Sequence, residues 1–171
     1  GTPTTLPPEY LDEVLTCIEE HFPCDGLHEY TVEAGRPDSF TREKLLAIRK
    51  HPVTRISVNP QTMNQKTLEI IGRRHTVEDT VNAFYLAREC GFDNINMDLI
   101  VGLPGEGKDE VSHTLEEIRK LDPDSLTVHS LAIKRAARLN MFRDQYQEMT
   151  FENNQEIMDM TIWCAYDMGM G

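Results

Sequence analysis

The chain is poor in the groups that build metal sites and membrane spans, and it is short of positive charge. Its four cysteines, Cys17, Cys24, Cys90 and Cys164, form no Cys-x-x-Cys pair. Their spacing outlines neither a zinc site nor a disulfide framework, and they read as reduced, partly buried thiols. Six histidines form no His-x-x-x-His ligand pair, so no metal site is assigned within the chain. No apolar run approaches the roughly 20 residues of a membrane span, and no basic-then-apolar leader opens the sequence. Lysine and arginine number 17 against 29 acidic residues, a net charge of −12. Such a surface repels phosphate backbones, so nucleic acid is excluded as a partner. The expected setting is the cytoplasm, with no membrane partner.

What is present reads as one domain. The 171 residues are 39% apolar and 27% charged, enough to build a packed core. Helical spacing places Leu11, Val14, Leu15, Ile18 and Phe22 on one stripe of a helix over 8–22. A short strand is expected over 28–34. Thr41 is positioned to cap a helix carrying Leu45 and Ile48. Alternation predicts a strand over 55–61, followed by a short helix from Asn64 to Arg73. Thr76 and Asp79 have capping-box spacing, and the helix they open ends at Cys90-Gly91. A strand over 94–101, a helix over 108–121, a strand over 125–132 and a helix over 152–168 complete the reading. Residues 134–150 are expected to form a long loop. The chain thus divides into barrel-type units over 1–133 and a loop with a final helix over 134–171.

Strands separated by helices imply parallel pairing, giving an α/β fold with about four parallel strands. Three strands alternate rather than being apolar on both faces. Thr31 and Glu33 oppose Val32; Ser57, Asn59 and Gln61 oppose Ile56 and Val58; Asn96 and Asp98 oppose Ile95, Met97 and Leu99. Helices should cover the apolar face. The polar face must then meet water or a ligand, because unpaired buried polar groups are costly. A partial barrel with a polar interior satisfies this, and in such barrels chemistry gathers at the carboxyl ends of the strands. Glu33, Gln61 and Asp98 lie near that end.

Single motifs leave alternatives open. Glu33 and Asp98 can bind a polar or cationic ligand, or serve as ion-pair partners inside the barrel. Gln61 suits a ribose or an amide, or a loop cap. In Gly72-Arg73-Arg74-His75, a guanidinium can clamp a carboxylate, or the segment can be a solvated helix end. His129 can face a ligand from its strand, or be an ordinary surface or core histidine. Gly1-Thr2-Pro3-Thr4 can bring backbone amides to a ligand or form a plain connection. Gly102–Lys108 nearly spells a phosphate-binding loop, but Asp109 stands where a hydroxyl would bind magnesium. A carboxylate there would crowd phosphates with like charge.

In succession, Gly1-Thr2-Pro3-Thr4, Thr31-Val32-Glu33, Ser57-Val58-Asn59-Pro60-Gln61, Gly72-Arg73-Arg74-His75 and Asn96-Met97-Asp98-Leu99-Ile100-Val101-Gly102-Leu103-Pro104-Gly105 carry a resemblance. The order resembles the radical S-adenosyl-L-methionine (radical SAM) enzymes of the oxygen-independent coproporphyrinogen III oxidase group, over Gly1 to about Ala132. Glu33-Ala34-Gly35-Arg36-Pro37 and Ile133-Lys134-Arg135-Ala136 resemble a subgroup found in Gram-positive bacteria. The resemblance implies an incomplete radical SAM-type (β/α)6 TIM-like partial barrel, truncated at both ends. It implies S-adenosyl-L-methionine as cofactor, held by Gly1, Thr2, Glu33, Gln61, Arg73, Asp98 and Ala132. Glu33 would contact the methionine amino group, and Gln61, Arg73 and Asp98 the adenosyl and carboxylate parts. It also implies a [4Fe–4S] cluster in the full-length protein. The Cys-x-x-x-Cys-x-x-Cys ligand motif is absent from this chain, so the piece alone is expected to be inactive. The implied substrate is a porphyrinogen, coproporphyrinogen III, decarboxylated oxidatively to protoporphyrinogen IX. The resemblance assigns no porphyrinogen contacts, catalytic residue or electron donor. Two alternatives stand beside it: a non-catalytic haem-handling member of the same family, and a nucleotide-binding protein using residues 102–108.

Overall fold

The computed structural model describes residues 2–24, 26–131 and 151–170, with side chains from 155 onward in the last segment. Its centre is one sheet of four parallel strands in the order β1-β2-β3-β4: Thr31–Gly35, Arg55–Gln61, Ile95–Val101 and Ser125–Ser130. Six helices accompany it: α1 Pro8–His21, α2 Arg42–Arg49, α3 Gln65–Ile70, α4 Val77–Glu89, α5 Lys108–Leu121 and α6 Phe151–Asp167.

Local chemistry fixes where these elements start. Thr41 Oγ1 accepts from the Lys44 amide at 3.3 Å, capping α2. Thr76 and Asp79 close the expected capping box at the start of α4: Asp79 N donates to Thr76 Oγ1 at 3.0 Å and Thr76 N to Asp79 Oδ2 at 2.7 Å. Those bonds favour the carboxylate and hold Asp79 below its usual range. Gly91 takes φ 89°, the left-handed turn expected after Cys90.

Alternation governs the layers. Ile56, Val58, Ile95, Met97 and Leu99 are buried, packed with Leu45, Ile48, Phe84, Leu115 and Ile118 from the helices. Each such side chain contributes about 1.5–3 kcal/mol on leaving water. The opposite face of the sheet is polar.

Three expectations are corrected. β1 begins at Thr31, three residues later than the strand read over 28–34. On α1 the buried contacts fall to Leu11 and Leu15, whereas Val14, Ile18 and Phe22 are exposed, Phe22 at 64%. The core touches a narrower stripe of that helix than its apolar content suggests. Third, alternation along β2 stops before its end. The register steps from Val58↔Met97 to Gln61↔Leu99, so three residues of β2 advance against two of β3. That extra residue is a bulge, and Gln61 takes φ 72°. Gln61 therefore does not continue the Ser57–Asn59 face. The loop expected over 134–150 lies outside the described residues.

Candidate functional site

The polar face of the sheet is tied together by side-chain hydrogen bonds that cross every strand. Asn59 Nδ2 on β2 donates to Glu33 Oε1 on β1 at 2.7 Å. Ser57 Oγ donates to Asn59 Oδ1 at 3.0 Å and lies 3.5 Å from Asp98 Oδ1 on β3. Asn96 Nδ2 donates to Asp98 Oδ1 at 2.6 Å and to Ser57 Oγ at 3.1 Å. On β4, Ser125 Oγ and Thr127 Oγ1 both donate to Asn96 Oδ1 at 3.0 Å. Ser57 and Asn96 are buried, Asp98 is half-buried and Glu33 is exposed.

The arrangement leaves particular atoms free. Asn96 and Ser57 are spent inside the network and act as its rigid floor. Each carboxylate has one oxygen engaged, Glu33 Oε1 and Asp98 Oδ1, and its second oxygen has no partner among the described residues. Two oriented carboxylates over a satisfied floor make an acceptor surface suited to a cation or to N–H and O–H donors.

The carboxyl ends of the strands form the rim. A 3-10 turn, Pro3–Thr5, packs against the end of β1, where Thr4 Oγ1 donates to the Ala34 carbonyl and meets Ser39 Oγ at 2.7 Å. Lys44 Nζ donates to the Thr4 carbonyl at 2.6 Å. Thr2 sits directly over Gly35, which has φ 72°; any side chain at 35 would collide with that of Thr2. The Gly-Thr-Pro-Thr segment is thus seated at the strand end.

Gln61 is buried, and its Nε2 is 3.4 Å from the Asn59 carbonyl; it bonds to neither Glu33 nor Asp98. Arg73 is half-buried beside Arg36 and Asp38, and no described residue accepts a hydrogen bond from its side chain. Burial lowers its guanidinium from the usual value, and Arg36 adds to the effect against Asp38. A desolvated guanidinium of this kind is suited to a carboxylate ligand. Glu33, Asp98 and Thr2 therefore share the polar face or its rim. Gln61 ends β2 and Arg73 stands near Arg36 and Asp38, which follow β1; neither joins the network. Gly1 and Ala132 fall outside the described residues, and His129 is exposed.

The Gly102–Lys108 loop is arranged unlike a phosphate cradle. Glu106 is buried, and its Oε1 accepts from Thr62 Oγ1 at 2.6 Å and Asn64 Nδ2 at 3.0 Å. The Gly107 amide donates to Glu110 Oε2 at 2.8 Å, and Lys108 Nζ pairs with Glu156 at 3.4 Å on the surface. The Gly107 amide and the Lys108 ammonium, two groups that would meet a phosphate, are engaged elsewhere. Two contributors escaped the sequence reading. Thr127 completes the network on β4, and its place on the polar face was legible from alternation. His75 is 1% exposed, and no spacing in the sequence marks it apart from the motif it closes.

Among the described residues no group of three or more His, Cys, Asp or Glu can hold a metal ion. Cys17, Cys90 and Cys164 belong to α1, the end of α4 and α6, away from the polar face. These residues do not fit an iron–sulfur cluster. The two carboxylates and the half-buried Arg73 guanidinium are chemically suited to a ligand that carries ammonium or hydroxyl donors and a carboxylate. No described helix is long and apolar enough to cross a membrane.

A model described as the radical SAM superfamily matches residues 1–118. An oxygen-independent coproporphyrinogen-III oxidase-like protein, HemZ, of Bacillus subtilis is 46% identical over 95% of this chain and 33% of its own length. The heme chaperone HemW of the same organism is 38% identical over 78% of this chain and 35% of its own length. An oxygen-independent coproporphyrinogen III oxidase of Helicobacter pylori is 36% identical over 77% and 29%. The chain thus spans about a third of the length of the curated relatives it matches. In structure it is similar to coproporphyrinogen III oxidase (HemN) of Escherichia coli, with TM-score 0.83 and 24% identity over 99% of this chain and 39% of that one. The four-stranded sheet is therefore part of that barrel-type fold.

Proposed function

The chain belongs to the radical SAM superfamily, and from that premise we propose that its polar sheet face binds S-adenosyl-L-methionine within a cytoplasmic, oxygen-independent coproporphyrinogen III dehydrogenase. The observation that carries this reading is the hydrogen-bonded run from Glu33 through Asn59, Ser57, Asp98 and Asn96 to Thr127. It fixes two carboxylates on one face of the sheet, each with an oxygen that has no partner among the described residues.

The residues then divide the cofactor. Glu33 accepts from the methionine ammonium, and its negative charge favours the neighbouring sulfonium. Asp98 accepts from the ribose hydroxyls. Arg73 pairs with the methionine carboxylate, and burial strengthens that pairing. Gln61 meets the adenosyl part, while Gly1 and Thr2 line the methionine end and Ala132 offers a backbone contact to the adenine. Bound there and cleaved by one electron into methionine and a 5′-deoxyadenosyl radical, S-adenosyl-L-methionine would supply the means of taking hydrogen from substrate propionates in the whole protein. The chain's own part is binding, orientation and exclusion of water. A [4Fe–4S] cluster belongs to this proposal only through ligands other than the described residues.

The similarity to HemW favours a second reading, a haem-handling protein of the same family. One experiment separates them. The complete protein, reduced and anaerobic, is given S-adenosyl-L-methionine with coproporphyrinogen III and, in a parallel titration, haem. Release of carbon dioxide with formation of protoporphyrinogen IX supports the dehydrogenase. Stoichiometric haem binding without decarboxylation supports the second reading and rejects the first.

A further inference from the structure

His75 takes no part in the polar network, yet it is buried against the end of β2. Its Nε2 lies 3.2 Å from the Pro60 carbonyl oxygen. A carbonyl only accepts, so Nε2 carries the proton. Nδ1 is then a buried lone pair without a partner among the described residues. Burial pulls the imidazole below the ordinary histidine value; the Pro60 bond opposes this, the Arg73 charge adds to it, and Asp38 and Asp79 oppose it. Burial therefore favours the neutral ring, and the Pro60 carbonyl selects its Nε2–H tautomer.

The carbonyl it holds is unusual. Pro60 lies in the bulge, where β2 has one residue more than β3 needs. Proline brings no amide to the ladder, and the bulge frees its carbonyl from regular pairing. Directly after it, Gln61 sits at φ 72°. A non-glycine residue there is strained and persists only when its surroundings impose it. The chain returns to this point by a second left-handed turn, at Gly72 with φ 71°, after which the Arg73 amide donates to the Leu68 carbonyl at 2.8 Å. One short segment thereby carries both Arg73, near Arg36 and Asp38, and His75, whose Nε2 meets the bulge.

We propose that His75 is a positioning residue whose Nε2–H clamps the Pro60 carbonyl, imposes the left-handed conformation on Gln61 and fixes Gln61 relative to Arg73. Its consequence for ligand binding rests on the cofactor reading above; the clamp itself does not.

The test uses ring ¹⁵N and Gln61 ¹³Cα and ¹³Cβ chemical shifts in the native protein and in His75→Leu and His75→Gln, together with S-adenosyl-L-methionine titrations. Glutamine keeps a donor near the Nε2 position, and leucine removes it. Native His75 should show the neutral Nε2–H tautomer at pH 7. Gln61 should show left-handed shifts in the native protein and His75→Gln, and lose them in His75→Leu. Affinity should fall at least five-fold in His75→Leu and return to within about two-fold in His75→Gln. The opposite tautomer, an imidazolium, or unchanged Gln61 shifts in His75→Leu overturns the clamp. Because the tautomer is read on the native protein, a His75→Leu chain that fails to fold leaves the proposal open to refutation. Altered Gln61 shifts with unchanged affinity overturn the positioning role. If the native protein binds no S-adenosyl-L-methionine, the cofactor reading fails, and the chemical shifts still decide the clamp.

Discussion

Asn59 Nδ2 donates to Glu33 Oε1 at 2.7 Å across the β1–β2 pair. The bond orients an exposed carboxylate through one oxygen, and the other has no partner among the described residues. Replacing Asn59 by aspartate turns the donor into a second anion at the same distance. Asn59→Asp should lower stability at pH 7 by about 1 kcal/mol, a loss relieved in acid, where one of the two carboxyls takes a proton. Urea unfolding at pH 7 and pH 4.5, each referred to the native protein, measures the difference.

Gly35 is required twice over, by φ 72° and by Thr2 lying where a Cβ would stand. Gly35→Ala should cost about 1–3 kcal/mol, since alanine is strained there and displaces Thr2. Chemical denaturation reads the loss. The Thr2 amide resonance should shift, while those of α5 stay in place.

Burial of Glu106 is offset by hydrogen bonds from Thr62 and Asn64 rather than by a cation. Glu106→Ala leaves those donors without their acceptor and should cost about 2–3 kcal/mol. Glu106→Gln keeps an acceptor oxygen and should cost less than half as much. Equal losses in the two variants would contradict this account of the loop.

Lys108 makes an exposed pair with Glu156. Lys108→Ala should change stability by under about 0.5 kcal/mol, and neither the native protein nor the variant should bind ATP in a titration. Nucleotide binding lost on this substitution would revive the phosphate-loop reading.

His75 carries a pH signature. Its folded value lies below the ordinary one, so the unfolded chain binds the extra proton. Stability from this group is complete above about pH 6.5 and falls as the pH drops toward the folded value, by up to about 1.4 kcal/mol per pH unit. His75→Gln should remove that component between pH 5 and 7, before most carboxylates titrate. Denaturation midpoints of the two proteins across that range provide the comparison.

Much of this arrangement was legible from residue order. β2 and α5 fall where the pattern put them, because period-two and period-3.6 signals are strong there and Thr76, Cys90 and Gly91 punctuate the chain. The polar face was legible for the same reason: Ser57, Asn59, Asn96 and Asp98 alternate with buried apolar neighbours. The bulge was not. Alternation assumes one residue per step, and only Pro60, unable to donate to a ladder, signalled a break. The α1 stripe misled because apolar spacing marks a face without saying how much of it a neighbour covers. His75 was hidden because histidine has no preferred layer; only the Pro60 carbonyl, distant in sequence, gives it a task.

The central claim is most directly tested by titrating S-adenosyl-L-methionine into the native protein, Glu33→Gln and Asp98→Asn. Both substitutions keep the shape and remove one charge from the sheet face. The account predicts saturable binding to the native protein, weakened at least ten-fold by each substitution with folding stability little changed. Equal affinity in all three proteins, or no binding to the native one, would contradict it.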